Sequence, residues 1–185
     1  MVDMENDLIA KCKKGDLNSL ETLISNYSNK VYNILLRILG NEEDAKDVSQ
    51  EVFIKVYKKI TTFNGQSQFS TWLYRVAVNS ARDLIKKRKV NMKHEDKNVD
   101  ETKIARLDSD PSLIYESKEK SYMVLKGINL LNNEQREIIV LRDIQGFSYD
   151  EISVILGISI GTVKSRLNRS RLRLRDILMP KVDAL

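Results

Sequence analysis

Apolar residues recur at helical spacing in one segment after another. Leu8, Ile9 and Cys12 mark a short first helix that ends near Gly15. Asp16 is placed to cap a second helix, whose apolar positions are Leu17, Leu20, Ile24, Tyr27, Val31, Ile34, Leu35 and Ile38, and Gly40 ends it. Asn41 caps a third. Glu42, Glu43 and Asp44 fill its first turn, where carboxylates favour the helix dipole, and Ala45, Val48, Val52, Val56 and Ile60 form its inward stripe. A polar loop from Thr61 to Gln68 follows, and a fourth helix is predicted to open at Ser70 with Leu73, Tyr74, Ala77, Val78, Ala81, Leu84 and Ile85 facing the core.

The other side of that fourth helix carries Trp72, Arg75, Val76, Asn79, Arg82, Asp83 and Lys86. The chain's single tryptophan therefore projects from a basic, polar face. Two readings are open: the indole packs on the preceding loop, or it stacks on unpaired bases beside cationic groups. From Lys89 to Ser112 hydrophobicity falls and Asp, Glu, Lys and Asn dominate, which reads as a disordered linker containing the lone histidine, His94. About 24 extended residues at ~3.3 Å each could span up to ~80 Å, enough for two domains to occupy separate sites.

Beyond the linker a helix is expected from about Tyr115 to Leu131, with Tyr122, Val124, Leu125, Ile128 and Leu131 on its stripe. Asn132 with Gln135 forms a capping-box start for a helix filled by Ile138, Ile139 and Leu141. Ser148 and Glu151 form a second such box, leading a short helix through Ile152 and Ile155 to a turn at Gly157. Ser159 then caps a long basic helix predicted to run to about Met179 and stop at Pro180. The fold class is all-α: two small helical domains, residues 1–90 and 114–185, joined by a flexible linker over 91–113.

Composition agrees with this reading and removes other classes. Only 7 glycines and 2 prolines occur in 185 residues, too few breakers for an all-β sandwich or a doubly wound sheet. One cysteine excludes an internal disulfide, and with one histidine it excludes a zinc site of Cys and His alone. No catalytic triad arrangement or P-loop is present, so no catalytic residues, metal or cofactor are expected. No apolar run long enough to span a membrane or act as an export signal is seen, and the cytoplasm is the expected compartment.

The formal charge of +5 is unevenly spread. One basic cluster runs from Arg82 through Lys86, Lys87 and Arg88 to Lys89, and a second holds Lys164, Arg166, Arg169, Arg171, Arg173 and Arg175 with no acid between them. Glu42 to Glu51 form an acidic stretch against them. Two basic faces and one acidic face imply at least two kinds of partner, although charge runs on helices also serve simply as solvated surfaces.

Residues 148–167, two helices around a turn glycine, have the pattern of a helix-turn-helix, and Ser153 fits the position where close packing admits only a small side chain. On the second helix Ile160, Val163, Leu167 and Leu174 project inward, while Ser165, Asn168 and Arg169 project outward. Lys164 and Arg171 lie on one flank, Arg166 and Arg173 on the other. Polar groups bracketed by cations suit base edges in a major groove and the phosphates beside it. Leu172 also points outward and has no such role.

These residues resemble the extracytoplasmic-function sigma factors of bacterial RNA polymerase. Residues 44–57 (DAKDVSQEVFIKVY) and 69–83 (FSTWLYRVAVNSARD) look like the family's domain 2, and 134–142 (EQREIIVLR) with 148–171 like its domain 4. The resemblance implies a non-enzymatic promoter-specificity subunit that binds core polymerase. Domain 2 would read the minus-ten element as melted DNA and domain 4 the minus-thirty-five element as duplex. It implies polymerase contacts at Asp44, Asp47, Gln50, Glu51, Phe53 and Val56, a base-capturing loop from Phe63 to Gln68, and DNA contacts from Trp72, Arg75, Asn79, Arg82, Lys86 and Lys87, next to Arg88 of the same basic cluster. On domain 4 it implies contacts from Thr162, Lys164, Ser165, Asn168 and Arg169, with Arg166 and Arg171 on the flanks. It also implies an anti-sigma factor as a further partner. Asn132-Asn133 where the family often has proline, and Ser153 for the usual alanine, are its departures. A ligand-sensing dimeric helix-turn-helix regulator of an operator is the alternative reading. It leaves the acidic helix unexplained.

Overall fold

With so few breakers in the chain, helices fill the residues that the computed structural model describes, 2–94 and 115–182, and no strand occurs among them. The chain divides into two compact units, one formed by the helices before residue 97 and the other by those after it.

The first unit contains α1 (Val2–Lys13), α2 (Leu17–Leu39), α3 (Glu42–Lys59), a 3-10 turn (Ile60–Thr62) and α4 (Phe69–His94). Asp16 caps α2 as expected: its carboxylate accepts from the Asn18 backbone N–H at 3.1 Å and from the Ser19 hydroxyl at 2.6 Å. These bonds, the one from Ser19 foremost, hold the Asp16 carboxyl below the usual range. Gly40 ends α2 with a positive φ of 68°. The core joins Leu23, Ile34, Leu35 and Ile38 of α2 to Val48, Val52 and Val56 of α3 and to Leu73, Ala77, Val78 and Ala81 of α4. Ile9 and Cys12 dock α1 against it, and the Cys12 thiol is free and buried at 7% exposure. Leu17 departs from expectation. It lies in the first turn of α2, which none of the described residues covers, and is 62% exposed.

Helix α4 differs at both ends from the sequence expectation. It opens at Phe69 rather than at a Ser70 cap, because the buried Phe69 ring wedges between Tyr27 and Phe63, with ring centroids 5.6 Å from each. It also continues through Lys89 to His94, since lysine and arginine are good helix formers and a charge run alone does not stop a helix. Residues 91–94, expected in the linker, are therefore helical. The remainder of that linker lies outside the described residues.

The second unit contains α5 (Tyr115–Asn129), α6 (Asn133–Ile139) prolonged by a π turn (Val140–Ile144), α7 (Tyr149–Leu156) and α8 (Ile160–Val182). Both expected capping boxes form, Asn132 with Gln135 and Ser148 with Glu151. Ile128, Leu131, Ile138, Ile139, Leu141, Ile152, Ile155, Val163 and Leu167 make the core. Gly127 lets α8 approach α5 closely, for a Cβ there would stand 2.8 Å from a Leu178 methyl. The Arg136 guanidinium turns back to donate to the carbonyls of Ile128, Asn129 and Leu131, which closes the C-terminal end of α5. Tyr122, Val124 and Ile160, expected on apolar stripes, are exposed, Ile160 because it is the first residue of its helix. Pro180 does not stop α8, which runs on to Val182. A proline in the last turn forfeits only one terminal backbone bond.

Candidate functional site

On α3 the side away from the core presents Asp47, Gln50 and Glu51, all exposed, and with them Ile54 and Tyr57, each 54% exposed. Steps of 100° per residue set these five within one stripe, opposite Val48, Val52 and Val56. Phe53 is half-buried on the flank of this stripe. Two expected contact residues do not belong to it. Val56 is 1% exposed and packs in the core, and Asp44 is buried, with a two-pronged ion pair from Arg88 on its carboxylate. Lys55 fastens α3 to α4: its ammonium pairs with Glu51 at 2.8 Å, donates to the Ser80 hydroxyl at 3.0 Å and lies 3.8 Å from Asp83.

On α4 the face opposite the core displays Arg75, Asn79, Lys86 and Lys87, with Arg82 half-buried. No carboxylate among the described residues pairs with Arg75, Lys86 or Lys87. Arg88 does not share this face. Sixteen residues after Trp72 it lies about 160° round the helix, on the side of Asp44.

Trp72 itself is half-buried, tilted against Phe63 at 5.7 Å and Phe69 at 5.8 Å between ring centroids. The indole thus packs on the preceding loop, the first of the two readings, and keeps part of its surface in solvent. Phe63 is buried under it, so the surface of the loop is made by Asn64, Gly65, Gln66 and Gln68. The aromatic array continues inward, with Tyr27 at 5.6 Å from Phe69 and 6.3 Å from Tyr74. Burial pushes the Tyr74 hydroxyl up to about 12, and burial together with the hydrogen bond to Glu5 pushes Tyr27 up as well.

On α8, Lys164, Ser165, Asn168, Arg169 and Leu172 are exposed, and Thr162 is half-buried beside the capping Ser159. Two of the four flanking cations are held by carboxylates. Arg166 pairs with Glu134 of α6 at 3.3 Å, and Arg171 makes a two-pronged pair with Asp143 of the π turn. Among the described residues no carboxylate holds Lys164, Arg169 or Arg173. The turn of the motif is built as expected, with Gly157 at φ 67° and the Ser153 hydroxyl donating to the Ile158 carbonyl at 2.6 Å.

The sequence reading passed over Ile54 and Tyr57, whose signal was available: they are large apolar residues off the inward stripe of their helix. It also missed Glu134 and Asp143 as partners of the α8 arginines, and Lys13 of α1, which reaches the Phe63 loop. Those are long-range pairings, which spacing does not reveal.

The family described as Sigma-70 region 2 matches residues 23–90, and the family described as Sigma-70, region 4 matches residues 122–174. The extracytoplasmic-function RNA polymerase sigma factor SigW of Bacillus subtilis is 37% identical over 177 residues, covering 92% of this chain and 94% of that protein. The sigma-E factor of Haemophilus influenzae is 34% identical, covering 94% of each. Among solved structures, the sigma factor RpoE from Bartonella quintana, in complex with the anti-sigma factor NepR, superposes with a TM-score of 0.73 at 25% identity, over 86% of this chain and 96% of that one. None of these relatives supports the ligand-sensing operator regulator. On the strength of both matched regions and of relatives aligned over nearly their full length, this chain belongs to the extracytoplasmic-function sigma factors of RNA polymerase.

Proposed function

We propose that this sigma factor divides promoter recognition between its two units. The outer face of α3, with Asp47, Gln50, Glu51, Ile54 and Tyr57, docks on core polymerase, and Phe53 borders the contact. The loop from Phe63 to Gln68 and the α4 face of Trp72, Arg75, Asn79, Arg82, Lys86 and Lys87 hold melted minus-ten DNA. The α8 face of Thr162, Lys164, Ser165, Asn168 and Arg169 reads the minus-thirty-five element as duplex.

One observation carries this division: the two cationic helices differ in chemistry. The α4 face sets an aromatic platform beside cations, which suits unstacked bases. The α8 face sets a hydroxyl, an amide and a guanidinium side by side, which suits base edges in a major groove. Asp44, Val56 and Arg88 support α3 and α4 from inside the unit, and Arg166 and Arg171 hold α8 against its neighbours. The protein performs no reaction of its own and works in the cytoplasm. An anti-sigma factor restrains it, as NepR is bound to its similar sigma factor.

The test is co-elution with purified core polymerase, followed by mapping of transcript start sites. Wild-type protein is expected to co-elute and direct new starts, and Asp47→Lys to lose both. A wild-type chain that neither binds core nor redirects transcription would overturn the reading.

A further inference from the structure

Helix α1 lies before the residues that the region 2 family matches, yet it reaches the loop assigned above to base capture. The Lys13 ammonium donates to the Phe63 carbonyl at 2.6 Å and stands 5.5 Å from the centroid of the Phe63 ring. A second tie lies one aromatic residue away, where the Tyr27 hydroxyl donates to Glu5 of α1 and the Tyr27 ring packs edge-on against Phe69. Phe63, Phe69 and Trp72 form a closed triangle, with centroid separations of 5.6, 5.7 and 5.8 Å. Any shift of the Phe63 backbone therefore moves the indole that borders the α4 face. The loop's other ties are local: the Phe63 N–H donates to the Ile60 carbonyl at 3.1 Å, the Gln66 N–H to the Asn64 side chain at 3.2 Å and the Trp72 N–H to the Gln68 carbonyl at 3.2 Å, while Asn64, Gly65, Gln66 and Gln68 are exposed and Gly65 takes a φ of +76°.

We propose that Lys13 is a positioning residue for minus-ten recognition, clamping the Phe63 end of the base-capturing loop through its carbonyl and ring. A binding constellation is only as selective as the groups behind it are rigid. Lys13 is an exposed residue, and its charged donor on a carbonyl, together with a cation over a ring, is a moderate local restraint. The inference rests on the reading of residues 63–68 as the segment that captures bases. Lys13 touches no DNA in it and acts through Phe63 and Trp72.

The experiment uses full-length protein assembled with core polymerase, on a promoter identified by transcript mapping with the wild type. Lys13→Met keeps the aliphatic stem and removes the donor, and Lys13→Arg restores a donor. Three quantities are read: permanganate reactivity of unpaired thymines, the ratio of opening on the cognate minus-ten element to opening on a single-base variant, and, on the free protein, the emission of Trp72, the chain's single tryptophan. Lys13→Met is expected to reduce opening about tenfold, the scale of one lost charge-assisted hydrogen bond, and to narrow the selectivity ratio. It should shift Trp72 emission to the red with core affinity unchanged, and Lys13→Arg should recover all three.

General destabilisation would lower opening on both promoters alike and leave the ratio intact, which overturns the proposal. So would Lys13→Met protein that opens and discriminates as the wild type does. Failure of the function assigned above looks different, because the wild-type holoenzyme itself would then open no promoter.

Discussion

Arg88, late in α4, grips both oxygens of Asp44 in the first turn of α3. The two residues stand on the helices proposed above to face polymerase and melted DNA. Each came from sequence as a surface contact, and each instead satisfies the other. The pair sets the spacing between the start of one helix and the end of the other.

Asp44→Asn should cost about 1 kcal/mol, because the pair is charge-assisted but the Arg88 side chain is half in solvent. Urea unfolding of Asp44→Asn, Arg88→Gln and the double variant measures their coupling. Arg88→Gln should also change the salt dependence of DNA binding less than Lys86→Gln does. Additive single effects, or equal salt effects, would detach the pair from this role.

The α8 arginines split in the same way. Lys164→Gln is expected to lower the slope of log K against log salt by about 0.9 on minus-thirty-five duplex, one phosphate's share, whereas Arg169→Gln should chiefly relax sequence preference, as loss of a base-edge contact does. Arg171→Gln should leave that slope nearly unchanged, because Asp143 already neutralises the guanidinium. Asp143→Asn should raise it by freeing Arg171. Should Arg171→Gln flatten the slope as much as Lys164→Gln, Arg171 belongs on a phosphate.

In the turn of the helix-turn-helix, Gly157→Ala is expected to destabilise the second unit by about 1 kcal/mol through left-handed backbone strain alone, since an added Cβ would meet nothing within 4 Å. Ser153→Ala should cost about the same by orphaning the Ile158 carbonyl. Thermal melts of the two variants check both figures, and an unchanged midpoint for either contradicts its assignment.

Stability of the first unit should fall as pH rises above about 10, where tyrosine in the unfolded chain begins to ionise. Folded Tyr74 is held up at about 12 and Tyr27 is raised as well, so the folded unit binds protons that the unfolded chain releases. The contribution is complete below pH 10 and is lost toward the folded values. The share of the tyrosinate absorbance that Tyr27→Phe and Tyr74→Phe remove should therefore rise together with the loss of helix, while the exposed Tyr57 and Tyr122 report no unfolding, and Tyr74→Phe should blunt the transition. Ionisation of the Tyr27 and Tyr74 share well before unfolding would contradict the burial of these rings.

Helix identity was legible because apolar stripes and caps are local: Asp16, the two capping boxes and the Gly157 turn all form where spacing placed them. Periodicity also separated the buried from the exposed side of α4 and α8. Helix ends were less legible. Phe69 starts α4 through tertiary packing, and Pro180 and the Lys89 region lack the power to terminate that local rules assigned to them. The candidate surfaces were visible as charge, but charge does not announce its partner. Asp44, Arg88, Arg166 and Arg171 are ordinary surface residues in sequence, and only the fold brings their counter-ions across intervals of 44 residues for the first pair and 28 for Arg171 with Asp143.

Next to Lys13, on the same helix, sits the chain's sole thiol, shielded by packing and pushed by that burial toward its unreactive protonated form. An alkylating reagent reaches Cys12 only in the moments when α1 lifts away from its neighbours. The molecule thus carries its own timer for that detachment, and whatever fastens the Phe63 loop more tightly will slow the clock.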